Sequence, residues 1–170
     1  MYSITLLLDY AGYYAPLILM ITSIFLLQNK YKTLLVYIGG LILNSVLNAI
    51  LKYAIKEPRP HKDMHIIEIA IANGQRFGFD MYGMPSGHAQ NCGFNLAFIT
   101  LTLHNPVITT CYLVFTFLSL YQRYKYFNHT ILQLIIGLII GILFGYLAYY
   151  VSNKWIKGNL KIRPDDFAPK

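Results

Sequence analysis

Three short stretches of this 170-residue sequence concentrate the groups able to do chemistry: KYAIKEPRP (52–60), MPSGHAQ (84–90) and RYKYFNHTILQ (123–133). In the first, Arg59 stands between Pro58 and Pro60, whose fixed φ angles stiffen its mount. A guanidinium held that way suits two-pronged capture of phosphate oxygens, with Lys52 adding a second positive charge. In the second, Pro85 stops the preceding loop, Ser86 is placed to cap a helix, and Gly87 lets a ligand approach the backbone. His88 then falls in the first helical turn, where free N–H groups and the helix dipole favour an anion. In the third, His129 and Gln133 are one helical turn apart. Gln133 is therefore placed to bond one ring nitrogen, fix the tautomer and aim the other nitrogen outward. Arg123 would share the anion with Arg59. Taken singly, each stretch has a plainer reading: a basic juxtamembrane anchor, an ordinary N-cap, a packed histidine. Taken together, three cations, two imidazoles and a helix N-terminus describe a phosphate site with two proton-active groups.

The elements that must position these groups are hydrophobic. Of the chain, 56% is AVILMFWYC and only 12% is charged, about half the charged fraction of soluble domains. Mean hydropathy is +0.46. The apolar residues come in blocks comparable to the roughly 20 residues a membrane helix needs. The expected architecture is all-α: one membrane-embedded domain over 1–170, with five spans near 11–28, 33–52, 88–104, 106–122 and 130–151. The formal net charge of +7 would suggest nucleic acid in a soluble protein. Here the cations sit between apolar blocks, so headgroups or an anionic substrate are the expected partners and nucleic acid is not. Cys92 and Cys111 fall inside spans and read as small packing residues, not a disulfide or a metal site. The first block is followed by further spans and has no basic residues before it, so it is not read as a cleaved leader.

Span order brings the three stretches together. If the second span exits on one side of the membrane, the third enters from that side, the fourth returns to it and the fifth begins there. The end of the second span, the start of the third and the turn between fourth and fifth then share one face. Asn44, Asn48 and Lys52 recur every fourth residue on the second span, as His88, Asn91 and Asn95 do at three- and four-residue steps on the third. Polar faces inside a bilayer turn inward, so these two are expected to meet. Gly137, Gly141 and Gly145 form a stripe suited to close helix packing. The only long connection, 53–87, includes MHIIEIAIAN (64–73), too poor in apolar residues to span; it reads as an interfacial helix or as packed loop.

Setting aside Lys52, Arg59 and Arg123 as held for chemistry leaves four cations on the site's side (Lys56, Lys62, Arg76, Lys125). The other side has seven: Lys30, Lys32, Lys154, Lys157, Lys161, Arg163 and Lys170. The positive-inside rule then places the tail, 153–170, in the cytoplasm and the site on the lumenal or outer face. Trp155 with Tyr149 and Tyr150 fits an aromatic belt at the cytoplasmic end. Asn128-His129-Thr130 matches a glycosylation sequon but lies too close to the membrane to be expected in use. His61, His65 and His104 have no motif around them and read as interfacial.

Lys-x6-Arg-Pro, Pro-Ser-Gly-His and Arg-x5-His, in that order across 52–133, resemble the type-2 phosphatidic acid phosphatase superfamily, membrane enzymes that dephosphorylate lipid phosphates and diphosphates. The resemblance implies a helical bundle, commonly of six spans. It implies His129 as nucleophile forming a phosphohistidine, and His88 as the acid protonating the leaving oxygen. It implies Lys52, Arg59, Ser86, Gly87 and Arg123 as holders of the phosphoryl oxygens, and neither a metal nor another cofactor. Two positions depart from the usual pattern: Gln122 stands where Ser is common, and Gln133 where Asp is common. A neutral partner should leave His129 less basic unless Glu57 or Asp80 supplies the missing charge. EPRP, YGMPSGHAQ and HTILQ further resemble the dolichyl-diphosphatase branch, with Gly87 where a second Ser is common. That branch implies a polyprenyl diphosphate substrate at a lumenal, endoplasmic-reticulum-type face. The alternatives are a general phosphatase for phosphatidic acid and similar monoesters, and a non-catalytic lipid-phosphate binder.

Overall fold

The computed structural model describes residues 2–60, 64–75 and 77–155. Six α-helices follow in order: α1 (Tyr2–Leu27), α2 (Tyr31–Ile55), α3 (Met64–Ala72), α4 (Gly87–Leu103), α5 (Pro106–Lys125) and α6 (Ile131–Trp155), with a 3-10 turn, Gly78–Met81, before α4. The described residues contain no strand. The segment 64–73 is therefore helical over most of its length. The first element begins well before residue 11: Tyr10, Tyr13 and Tyr14 interrupt the aliphatic pattern without interrupting the helix. His61, Lys62, Arg76 and the tail beyond Trp155 lie outside the described residues.

Helix ends follow local chemistry. Ser86 caps α4, its Oγ accepting from Ala89 N. Asn105 caps α5 through Val107 N and Ile108 N, with Pro106 at the first helical position, where no N–H is needed. α2 runs one turn past Lys52 and closes on Lys56 in the left-handed region, φ 53°.

Among the described residues, three helical stretches are long and apolar enough to cross a bilayer by themselves: Ile4–Leu27, Tyr31–Ile55 and Ile131–Trp155. Their outward faces carry large hydrophobic side chains such as Phe25, Leu43 and Leu143, each about 60% exposed or more. An apolar surface of that extent is covered by lipid in an integral membrane bundle. α4, only 17 residues long, lies in the middle and packs on α1, α2, α5 and α6. It runs parallel to α6, and the glycine stripe is the reason they approach so closely. A Cβ at Gly137 would lie 2.6 Å from Ser86 O, one at Gly145 2.6 Å from Phe94 O, and one at Gly141 would overlap Gln90 O.

The two polar faces meet. Asn44 Nδ2 donates to Asn91 Oδ1 (2.8 Å), and Gln90 Nε2 donates to Asn44 O and Oδ1 (2.8 and 2.9 Å). Asn48 Nδ2 donates to Gln90 Oε1 (2.8 Å) and to Pro85 O (3.2 Å). Deeper in the bundle Asn95 accepts from Tyr37 and Ser23, and Ser23 also bonds Tyr112. Amides and hydroxyls that satisfy one another this fully fix the register of α1, α2, α4 and α5. The beginnings of α4 and α6 and the ends of α2 and α5 are thereby brought to one end of the bundle.

Candidate active site

At that end a cavity of about 260 Å³ is lined by Tyr13, Asn48, Lys52, Arg59, Gln75, Asp80, Gly87, His88, Arg123 and His129. Six of the eight residues singled out by spacing and resemblance as site groups thus line one cavity: Lys52, Arg59, Gly87, His88, Arg123 and His129.

Arg59 is rigidly mounted. Its Nε donates to Asp80 O (2.7 Å) and its Nη1 to Asn128 O (3.2 Å), so loop 58–60 is tied to the 3-10 turn and to the α5–α6 connection. The same Nη1 lies 3.2 Å from His129 Nε2. Lys52 Nζ donates to Tyr82 O (3.0 Å). The Asp80 carboxylate stands 3.4 Å from Lys52 and 3.6 Å from Arg59, an internal anion on two of the three cavity cations.

His88 projects from the first turn of α4. Arg123 Nη2 is 2.6 Å from its Nε2, and Tyr13 O is 3.3 Å from the same nitrogen. The Tyr13 ring covers the Arg123 guanidinium at 4.9 Å, a cation–π contact that keeps it in the cavity wall. Gly87 leaves room for Asn48, whose Oδ1 would be 3.1 Å from an added Cβ.

His129 is 3% exposed. Its Nδ1 is 3.2 Å from Gln133 Oε1, which also accepts from Thr130 N (3.2 Å). Burial, followed by the positive charges of Arg59 and Lys52, pushes the imidazole pKa down to about 2, against a smaller upward pull from Gln133. His129 is therefore a neutral base with a lone pair at Nε2 facing the cations.

Ser86 and Gln133 sit behind the wall. Ser86 is fully buried; its Oγ caps α4 and its N donates to Gln133 O (3.1 Å). Gln133 is also fully buried, underneath His129. Gln122 borders a second cavity with Leu6, Asp9, Tyr10, Tyr13 and Tyr126; Tyr13 lines both cavities. Of the two carboxylates raised as helpers, Asp80 pairs with cations, and Glu57 reaches Gln133. Sequence reasoning missed Tyr13, Asn48 and Gln75 as lining residues. Asn48 was within reach as the partner of Lys52 on the inward face of α2; an isolated tyrosine on an apolar helix and a glutamine after α3 offer no comparable signal.

The described residues include no group of three or more His, Cys, Asp or Glu side chains able to hold a metal ion. What the cavity offers is a set of three cations and a helix N-terminus around a space bordered by two imidazoles. An all-α membrane bundle with such a site belongs to the class of membrane enzymes that handle phosphorylated lipids. The model of the PAP2 superfamily matches residues 33–157, from the start of α2 to the end of α6, and the chain belongs to that superfamily. It is a phosphatase of the lipid-phosphate type. A search of the curated proteins finds no significant match, and a search of the solved structures finds none either. Helix α1, which supplies Tyr13, lies outside the matched residues.

Proposed function

We propose that the protein hydrolyses a polyprenyl diphosphate to its monophosphate through a phosphohistidine on His129, at the lumenal or outer face of the membrane and without a metal. The observation carrying this reading is that His129 and His88 border one cavity with Lys52, Arg59 and Arg123. Phosphoryl transfer needs chiefly in-line positioning and neutralisation of the equatorial oxygens. The three cations serve the oxygens. The His129 Nε2 lone pair forms the N–P bond as the P–O bond to the leaving group breaks, and that oxygen takes a proton from His88. Water, deprotonated by His88, then attacks the phosphohistidine and releases phosphate, returning both rings to their starting states.

Both Nε2 nitrogens are engaged within the protein, Arg59 donating to His129 and Arg123 to His88. Phosphate oxygens compete for the same guanidinium N–H groups as stronger, charged acceptors. Substrate binding thus frees His129 Nε2 to attack. It also frees His88 Nε2 to take up the proton, brought by the phosphate group or by solvent, that it then passes to the leaving oxygen. The diphosphate assignment is supported by the motif set EPRP, YGMPSGHAQ and HTILQ.

The test is purified protein in detergent with EDTA, assayed on polyprenyl diphosphates and on phosphatidic acid. We expect preferential turnover of the diphosphate, and losses of about 10²-fold or more for His129→Ala and His88→Ala. Equal rates on both lipids would replace the diphosphate reading with that of a general lipid-phosphate phosphatase. No release from any lipid would favour a non-catalytic binder.

A further inference from the structure

Gln133 leaves the nucleophile without a directly bonded carboxylate. We infer that Glu57, 76 residues away in sequence, is a positioning residue that acts on His129 through the Gln133 amide. This inference deepens the phosphatase reading and rests on it.

The hydrogen bonds around Gln133 leave its amide one orientation. Nε2 faces two acceptors, Glu57 Oε1 at 2.7 Å and Pro58 O at 3.0 Å. Oε1 faces a donor, Thr130 N, at 3.2 Å. A flipped amide would set its oxygen against a carboxylate and a carbonyl, and its NH2 against an N–H. Oε1 therefore points at His129 Nδ1, which must carry the proton to make the 3.2 Å contact. The Nε2 lone pair is left for the cavity, consistent with Arg59 Nη1 donating to it at 3.2 Å. Glu57 thus selects the tautomer able to attack phosphorus.

An amide relays no proton, so none reaches Glu57. The carboxylate polarises Gln133, placing more negative charge on Oε1 when the N–P bond makes the ring cationic. Of the other charged groups around the cavity, Lys52, Arg59 and Arg123 are positive and oppose that charge. The Asp80 carboxylate is paired with Lys52 and Arg59 and makes no contact with the ring that would replace Glu57. Two further contacts hold the relay in place. Gly83 N donates to Glu57 O (2.7 Å), and Gln133 N bonds Thr130 Oγ1 (3.2 Å).

The experiment exchanges the two groups. Glu57→Gln keeps the shape and removes the charge; Glu57→Leu removes the acceptor. The double variant E57Q/Q133E puts the carboxylate directly on Nδ1 and an amide donor behind it. We expect Glu57→Gln to lower kcat about tenfold, and Glu57→Leu to lower it further, with KM little changed. Gln133→Glu alone sets two carboxylates face to face and should also be poor. The double variant should recover turnover above either single variant, with the acid limb of its pH–rate profile moved up by about one unit. A scaffold role for Glu57 would move neither the profile nor the double-variant recovery. Nitrogen-15 spectra of the histidine rings report the tautomer without turnover: we expect Nδ1–H in the wild type and a mixture in Glu57→Leu. An active wild type with Glu57→Gln and Glu57→Leu within twofold of it, or a tautomer indifferent to Glu57, would overturn the inference. A wild type inactive on every lipid phosphate but with a Glu57-dependent tautomer would overturn the phosphatase reading and keep the positioning role.

Discussion

Arg123 Nη2 lies 2.6 Å from His88 Nε2, so the guanidinium donates to the ring nitrogen proposed to protonate the leaving group. The cation that would grip phosphate thus also keeps that nitrogen unprotonated until phosphate draws the guanidinium away. The Tyr13 ring lies against the guanidinium of Arg123, which projects from the last turn of α5.

That pairing makes the guanidinium shape matter. Lysine at 123 would keep the charge but lose the planar fork that reaches phosphate oxygens while stacked on Tyr13. We expect Arg123→Lys to lower kcat/KM about tenfold or more, and Arg123→Ala about 10²-fold or more, read by phosphate release from a lipid phosphate.

Asp80 shields Lys52 and Arg59 at 3.4 and 3.6 Å. An incoming phosphate must share those cations with it. Asp80→Asn should therefore bind anions better: we expect inorganic phosphate or vanadate to inhibit at several-fold lower concentration, with the gain shrinking as salt rises. Unchanged or weaker inhibition would mean the carboxylate does not compete for the site.

Gly83 is buried against the Gln133 amide, and an added Cβ would overlap it. Its backbone lies outside the left-handed region, so alanine is tolerated by the chain and refused only by that neighbour. Gly83→Ala should lower kcat about tenfold by displacing Gln133 from His129, with far-UV circular dichroism unchanged.

His129 also links stability to pH. Its folded pKa is held down at about 2, whereas the unfolded chain titrates near the ordinary imidazole value. Its contribution is full above about pH 6.5 and is lost progressively as pH falls toward the folded pKa, at up to about 1.4 kcal/mol per unit. Denaturant unfolding in detergent at pH 7.5 and pH 5 should show that loss in the wild type and less of it in His129→Asn.

Much of this was legible in the sequence because phosphate chemistry demands particular residues at particular backbone positions. A proline-bracketed arginine, a Ser-Gly-His helix start and a histidine four residues from a glutamine each announce a local geometry. Span order then placed them on one face. What was not legible depends on contacts between distant residues. Tyr13 carries no motif, and its role comes from α1 leaning on α5 beside Arg123. Ser86 was legible as the cap of α4, and its hydroxyl accepts from Ala89 N there; that it stands behind the cavity wall was not legible. Glu57 and Asp80 were equivalent as helpers in the sequence. Only the fold sends one to Gln133 and the other to the cations. The start of α1 was hidden by Asp9 and Tyr10 at the edge of the apolar block; the helix accommodates Asp9 by pairing it with Lys125 (2.7 Å) and Tyr126 (2.7 Å).

The most direct measurement is covalent trapping of the intermediate. Detergent-purified protein is mixed with a lipid phosphate carrying labelled phosphorus, quenched in alkali and digested, and the label is located by mass spectrometry. We expect an alkali-stable, acid-labile phosphoryl group on His129, absent from His129→Ala and accumulating in His88→Ala. Label on another residue, or a His129→Ala protein that turns over lipid phosphate at the wild-type rate, would contradict the assignment of the nucleophile.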